Sequence, residues 1–295
     1  RFDVTLRDST APLTAAELRA SLRDFEAVLP TLGDRFQADV FADTPTPRAK
    51  ILANFGVGYN HIDTAAARAA GIAVTNTPGA VTDATADIAL TLILMTARRA
   101  GEGERLVRKG AWTGWHPVQM LGMHVTGRTV RNIGPRRFGK SLSHSGHSAL
   151  CMQLLGPRRS PVTDTPYARQ VPLAQAMAAD IVVTAVPGGA ETRHLINAET
   201  LRHMAPHAIF INIARGDVVD ETALIAALQS GQIAGAGLDV YELEPHIPPA
   251  LLALENVTLL PHLGTAALEV RENMGHMAVA NLIAHLEGRP LPNPV

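Results

Sequence analysis

The sequence predicts an α/β protein built from two Rossmann-like, doubly wound parallel-sheet domains, the first of them discontinuous along the chain. Three observations carry this. Short apolar runs of strand length alternate with amphipathic stretches of helix length, the order that parallel β-α-β units require. At 295 residues the chain is too long for one ordinary domain and fits two. Its longest apolar run, residues 88–95, is interrupted by Thr91 and falls far short of the roughly 20 residues needed to cross a bilayer.

Residues 2–6 (Phe-Asp-Val-Thr-Leu) alternate apolar and polar and read as a strand. Thr14 with Glu17 three positions on is a capping-box pair, which starts a helix running to about Leu22. Strands follow at 27–29, 50–54 and 72–75, and Asn76, Thr77, Pro78 and Gly79 then break the pattern. One long helix is expected from Thr82 to about Lys109, with Arg98, Arg99, Arg105 and Arg108 toward its C-terminal end. Residues 111–117 form a loop that holds both tryptophans, Trp112 and Trp115. A second series opens at Thr129, with its clearest strands at 181–186, 208–213, 234–240 and 257–260. A last amphipathic helix spans about Leu268 to Leu286 and stops ahead of Gly288 and Pro290.

The helix after Pro78 and the loop after His262 are the natural hinges. They assign residues 1–77 with 265–295 to one domain and 78–264 to an inserted second one. The chain opens on Arg1 rather than Met, and residues 2–6 fit the second strand of their domain, so a strand and a helix are expected ahead of them.

Composition excludes several classes of function. The 26 Lys+Arg and 27 Asp+Glu leave a net charge of -1, so there is no basic face for nucleic acid or an acidic membrane. A single cysteine, Cys151, rules out a disulfide framework and a cysteine-rich zinc site. No signal peptide is in view, so a cytoplasmic protein is expected, with no bound metal.

Three separated motifs carry polar residues just beyond buried strands. They are Asn212 to Asp220 with Arg215, Gly237 to Pro245 with Asp239 and Glu244, and Leu260 to Ala266 with His262. In open α/β sheets the ligand crevice lies outside the carboxyl ends of the strands, so all three can line it. Arginine binds a carboxylate bidentately. A histidine beside a carboxylate is kept protonated near neutrality and can give a proton to a carbonyl oxygen. Each residue alone has an ordinary structural reading, but together at strand ends they suit an anionic carbonyl substrate. Asp217, Asp220 and Glu221 read as helix-start charges. His61, His116, His124, His144, His147 and His246 are assigned no chemistry.

On these motifs the chain resembles the D-isomer-specific 2-hydroxyacid dehydrogenase family, and within it the glyoxylate/hydroxypyruvate reductase branch. The stretch Asn54 to Asp63 is similar to the family's substrate loop, and the resemblance implies that the Val57 and Gly58 amides hold the substrate carboxylate. Trp112 to Pro117, followed by Leu121 and Gly122, is similar to a loop of the reductase branch. By the same resemblance Arg215 binds substrate, Glu244 partners the histidine, and His262 is the proton donor. The 29 positions from Arg215 to Glu244 fit the family spacing. Cofactor contacts are implied for Thr85, Ile213, Asp239 and Gly264, with Asp239 facing the nicotinamide carboxamide. The first domain then serves the substrate and the second the dinucleotide. A homodimer joined through the cofactor domains is also implied, with the Trp112–Trp115 loop near the partner's site.

A dinucleotide-binding turn needs Gly-x-Gly-x-x-Gly between strand and helix. Here Gly134 and Gly139 supply the first and third glycines, Arg136 stands at the second, and Arg137 and Phe138 complete the segment. All five are candidate cofactor contacts. Arg131 and Asn132 fall inside what should be a buried strand. About 20 positions on there is no acid, but Arg158 and Arg159 are present, which favours NADP over NAD. The same segment also matches the phosphate-loop pattern from Gly134 to Ser141, which would place Lys140 on nucleotide phosphates. Two alternatives therefore stand beside a 2-keto acid reductase: a corepressor-like dinucleotide binder with weak catalysis, and a P-loop nucleotide binder.

Overall fold

The chain folds around two parallel sheets, and the computed structural model describes residues 2–134, 141, 153–155 and 171–295. It divides into two compact units, Arg1–Val81 with Leu268–Val295, and Thr82–Ala267.

In the first unit, helix α1 (Ala15–Asp24) begins where its capping box sets it: Thr14 accepts from the Glu17 amide, and the Glu17 carboxylate accepts from the Thr14 amide. Strands β1 (Ala27–Val28), β2 (Ile51–Ala53) and β3 (Ala73–Thr75) are parallel and lie in chain order. Between them run α2 (Ala38–Ala42) and α3 (Thr64–Ala69), the latter capped by Asp63. Leu18, Leu22, Phe36, Leu52 and Val74 form its core. The strand expected at 2–6 is absent: Phe2, Val4 and Leu6 are 46%, 68% and 83% exposed, and no neighbouring strand takes their backbone. Alternation without a partner edge does not make a strand.

The second unit opens with α4 (Thr82–Ala97) and α5 (Ala100–Arg108), so the single helix expected over 82–109 is broken. Arg99 takes the left-handed conformation at φ 53° and its guanidinium pairs with Glu102 at 2.7 Å, ending one helix and starting the next. Strands β4 (Thr129–Ile133), β5 (Gln153–Leu155), β6 (Ile181–Thr184), β7 (Ile209–Asn212), β8 (Gly235–Leu238) and β9 (Val257–Leu259) form one parallel sheet in the order β5-β4-β6-β7-β8-β9. Strands β6, β7 and β8 are buried at every position, as a parallel sheet covered on both faces requires. Alternate residues serve opposite faces: Ile181, Val183, Ile209 and Ile211 pack under α4, while Val182, Phe210 and Ala236 meet the other core.

The connecting helices of this unit are α6 (Leu173–Met177), α7 (Ala198–Leu201), α8 (Glu221–Gln229) and α9 (Pro249–Leu252). The final helix α10 (Leu268–Leu286) returns to the first unit and packs on β2. Strand β4 keeps its polar residues in a central place, with Arg131 half-buried and Asn132 buried. Among the described residues no helix is long and apolar enough to cross a membrane, and no group of three His, Cys, Asp or Glu side chains could hold a metal.

Candidate active site

The sheet order reverses at β4, where the chain leaves outward to β5 and later returns on the other side as β6. At such a switch point the carboxyl ends of neighbouring strands open a crevice. Gly134 follows β4 there, and any Cβ on it would lie 2.6 Å from the Ala185 carbonyl carbon, so only glycine allows this approach. Arg136, Arg137, Phe138, Gly139 and Arg158, along with the remaining phosphate-loop residue Lys140, lie outside the described residues.

Beyond β7 the backbone is shaped by one buried amide. Asn212 Oδ1 accepts from the Thr184 hydroxyl at 2.9 Å and the Ala214 amide at 3.0 Å, while its Nδ2 donates to the Arg215 carbonyl at 3.0 Å. Arg215 is thereby presented at the strand end, half-buried, with one guanidinium nitrogen on the Ala214 carbonyl at 2.7 Å. Burial pushes its pKa down, and the charges of Glu244 and Asp217 push it back up. Ile213 sits in the core beneath α4.

Beyond β8 and β9 stand the acid and the histidine. His262 Nδ1 pairs with Glu244 Oε2 at 2.8 Å, and Glu244 Oε1 accepts from the Tyr241 amide at 2.9 Å. Both side chains remain about a third open, at 30% and 35%. Partial burial alone would raise the Glu244 pKa. The hydrogen bond and charge of His262, the Tyr241 amide and the Arg215 charge outweigh it and leave the carboxyl below its ordinary value.

The His262 backbone is left-handed at φ 55°, which costs a non-glycine residue about 1 kcal/mol. Asp239, buried at 1% exposure, holds that turn. Its carboxylate accepts from the Leu263 and Gly264 amides at 2.6 and 2.8 Å, and its carbonyl accepts from the His262 amide at 2.9 Å. Burial raises the Asp239 pKa, and these donors and His262 oppose it. Thr85 donates its hydroxyl to the Gly264 carbonyl at 3.1 Å, tying the start of α4 to the same turn.

The first unit has a polar loop of its own. Buried Asn54 donates to the Gly56 and Gly58 carbonyls, both at 2.9 Å, and its oxygen meets His61 Nε2 at 2.9 Å. Asn76 donates to the Val57 carbonyl at 2.8 Å. The carbonyls of the loop are thus consumed, and the Val57 and Gly58 amides have no acceptor among the described residues. Consecutive free amides of this kind make an anion-binding concavity.

Sequence reasoning assigned no role to Asn54, His61 and Asn212, whose contacts with nearby backbone and side chains leave no signal beyond being polar within a motif. It also left Glu221 as a helix-start charge. Asp220 does cap α8, accepting from the Ala223 amide at 3.0 Å, but Glu221 is turned inward at 7% exposure.

Residues 90–264 match the family model for the D-isomer specific 2-hydroxyacid dehydrogenase NAD binding domain. With the reversed parallel sheet, that match defines an enzyme of the NAD(P)-dependent dehydrogenase class, and it withdraws the P-loop reading of residues 134–141, which fall inside it. The chain is 40% identical over 301 residues to a glyoxylate reductase of Thermococcus onnurineus, covering 100% of this chain and 90% of the relative. A glyoxylate reductase of Korarchaeum cryptofilum is 41% identical over 300 residues, with the same coverage. Among solved structures, the TT0316 protein of Thermus thermophilus superimposes with a TM-score of 0.88 at 40% identity, over 96% of this chain and 90% of that one. The NADPH-dependent glyoxylate/hydroxypyruvate reductase of Sinorhizobium meliloti, in complex with NADP and malonate, gives 0.86 at 36%, over 96% and 87%. The chain belongs to the D-isomer specific 2-hydroxyacid dehydrogenase family.

Proposed function

We propose that this protein reduces a short 2-keto acid, glyoxylate or hydroxypyruvate, to the D-2-hydroxy acid, using NADPH in preference to NADH. The observation that carries this is the His262–Glu244 pair at 2.8 Å, set at the carboxyl ends of β8 and β9 with Arg215 at the end of β7. The family likeness assigns Arg215 to the substrate carboxylate, and separately assigns the Val57 and Gly58 amides of the first unit to binding that group. With Nδ1 committed to Glu244, His262 presents Nε2 and gives its proton to the carbonyl oxygen. Glu244 orients the ring and stabilises its positive charge. When bound, a reduced nicotinamide would supply the hydride for the keto carbon. Thr85, Gly134, Ile213, Asp239 and Gly264 are assigned to the dinucleotide side, with Arg136, Arg137, Phe138 and Gly139 in the phosphate turn. The preference for NADPH rests on Arg158 and the absence of an acid near it.

The family likeness of residues 111–122 supports a homodimer joined through the second unit. Trp112, Trp115, Val118 and Leu121 there are 53%, 80%, 73% and 67% exposed, a large apolar commitment for a free loop. Sedimentation analysis would test it, and a monomer at micromolar concentration would refute it.

The deciding assay follows NADPH and NADH oxidation with glyoxylate and with hydroxypyruvate, beside His262→Ala and Arg215→Ala. The wild-type should turn over, His262→Ala should lose on the order of 10²–10⁴-fold in kcat, and Arg215→Ala should chiefly raise KM. Dinucleotide binding without turnover would instead favour the corepressor-like reading.

A further inference from the structure

Glu221 is the first residue of α8, a place where a glutamate ordinarily faces water and the helix dipole. Here it is 7% exposed. Burying a carboxylate is costly unless something answers it, and among the described residues the answer is a backbone hydrogen bond: its Oε1 accepts from the Glu242 amide at 2.8 Å. That amide belongs to the Tyr241–Glu242 peptide, which is pressed from its other atoms by Gly216. A Cβ on Gly216 would stand 1.8 Å from the Tyr241 carbonyl carbon and 2.3 Å from the Glu242 nitrogen. The Glu242 side chain is also fixed, accepting from His194 Nε2 at 2.8 Å and Arg193 at 3.1 Å.

Two adjacent amides are therefore taken by two carboxylates. Tyr241 N–H goes to Glu244 and Glu242 N–H goes to Glu221. We propose that Glu221 is a positioning residue for the His262–Glu244 pair, acting by occupying the Glu242 amide and fixing the Tyr241–Glu242 peptide, the immediate neighbour of the Val240–Tyr241 peptide whose N–H holds Glu244. This rests on the reading of His262 and Glu244 given above. Without Glu221 the Glu242 amide is a free donor one residue from the amide that already holds Glu244. The Glu244 carboxylate then has a second place to bind, and the bond to His262 Nδ1 loosens. Glu221 touches neither substrate nor dinucleotide in this scheme, so substrate binding through Arg215 is left in place.

The test compares Glu221→Ala, Glu221→Gln and Glu221→Met with Glu244→Ala, each also combined with it, in steady-state reduction of glyoxylate by NADPH. Glu221→Ala should lower kcat on the order of 10–100-fold while KM for the keto acid stays within about threefold. Glu221→Gln keeps an acceptor oxygen and should recover most of the loss. Glu221→Met fills the same space without an acceptor and should behave as Ala, which keeps the test open if the smaller side chain impairs folding. In the Glu244→Ala background, removing Glu221 should cost almost nothing further. Normal kcat in Glu221→Met beside an impaired Glu244→Ala would overturn the proposal, as would an independent, fully additive loss. A Glu244→Ala protein with wild-type kcat would overturn the reading of the pair itself.

Discussion

Replacing Gly216 by alanine tests how closely the Arg215 turn and the Glu244 loop are fitted to each other. The new Cβ would sit 1.8 Å from the Tyr241 carbonyl carbon and 1.9 Å from its oxygen, where ordinary contact begins at 3.4 Å. The difference requires a displacement of about 1.6 Å, and both neighbours are backbone, which has no rotamer to yield. Glu244 is held one peptide earlier, by the Tyr241 amide of the Val240–Tyr241 peptide at 2.9 Å, so the displaced carbonyl of Tyr241 carries that donor with it. A shift of even half this size carries its 2.8 Å contact with His262 past hydrogen-bonding range. Misplacement by about 1 Å costs on the order of 100-fold in rate, which corresponds to about 2.7 kcal/mol of transition-state stabilisation. The overpacking itself should destabilise the fold by about 1–3 kcal/mol. The assay is kcat/KM for glyoxylate with NADPH, alongside the melting temperature and dinucleotide binding by fluorescence. Gly216→Ala should bind dinucleotide and turn over about 100-fold more slowly. A folded Gly216→Ala enzyme within threefold of wild-type would refute the rigid fit between the two turns.

Asp180 joins the start of β4 to the strands beside it, accepting from the Thr129 amide and hydroxyl at 2.9 and 2.7 Å and from His207 at 2.7 Å. Burial raises its pKa, but these bonds and the Arg128 charge hold it at about 2 against an ordinary 3.8, a shift that corresponds to about 2 kcal/mol. Because the folded value is the lower one, this stability is present above pH 4 and lost as pH falls toward 2. Asp180→Asn should therefore unfold more easily in urea at pH 7 and match wild-type near pH 2; an undiminished gap at pH 2 would contradict the assignment. Asn212→Ala removes the Thr184 and Arg215 contacts together and should raise KM for the keto acid about tenfold or more, measured by steady-state kinetics; an unchanged KM would show that Arg215 is placed by other contacts. Thr14→Ala deletes one half of the α1 capping box and should cost about 1 kcal/mol in equilibrium unfolding without altering kcat.

The residues with reactive side chains were legible because their chemistry and their strand-end position coincide. Arg215, Glu244 and His262 each follow a run that can only be a buried strand, and an ionisable side chain just past such a run has little structural reason to be there. The residues that hold them were not legible by the same means. Asn212 and Asn54 work through backbone atoms that no side-chain pattern names, His61 through the Asn54 side chain, and Glu221 occupies a helix-start position where an acid is expected on electrostatic grounds alone. Backbone conformation was the other blind spot. An arginine at φ 53° leaves no mark in the sequence, so the break between α4 and α5 was read through. Residues 2–6 failed in the opposite sense: the alternation was present, and the neighbouring edge that would have made it a strand was not.

The physical cost of the site is concentrated at His262. Its left-handed backbone is disfavoured by about 1 kcal/mol, and it persists because Asp239 collects three consecutive amides, those of His262, Leu263 and Gly264, at 2.6–2.9 Å. Two of those bonds end on a buried carboxylate, where the low dielectric strengthens each of them. Gly264 contributes by having no side chain, since a Cβ there would meet Asp239 Oδ2 at 3.3 Å. The histidine is thus fixed through its backbone by one acid and through its ring by another. Asp239 sets where the imidazole stands, and Glu244 sets which nitrogen it offers. That division of labour explains why the motif beyond β8 needs both Asp239 and Glu244: a single carboxylate cannot satisfy the turn amides and Nδ1 at once, because the first task demands burial and the second demands a side chain reaching the open edge of the sheet.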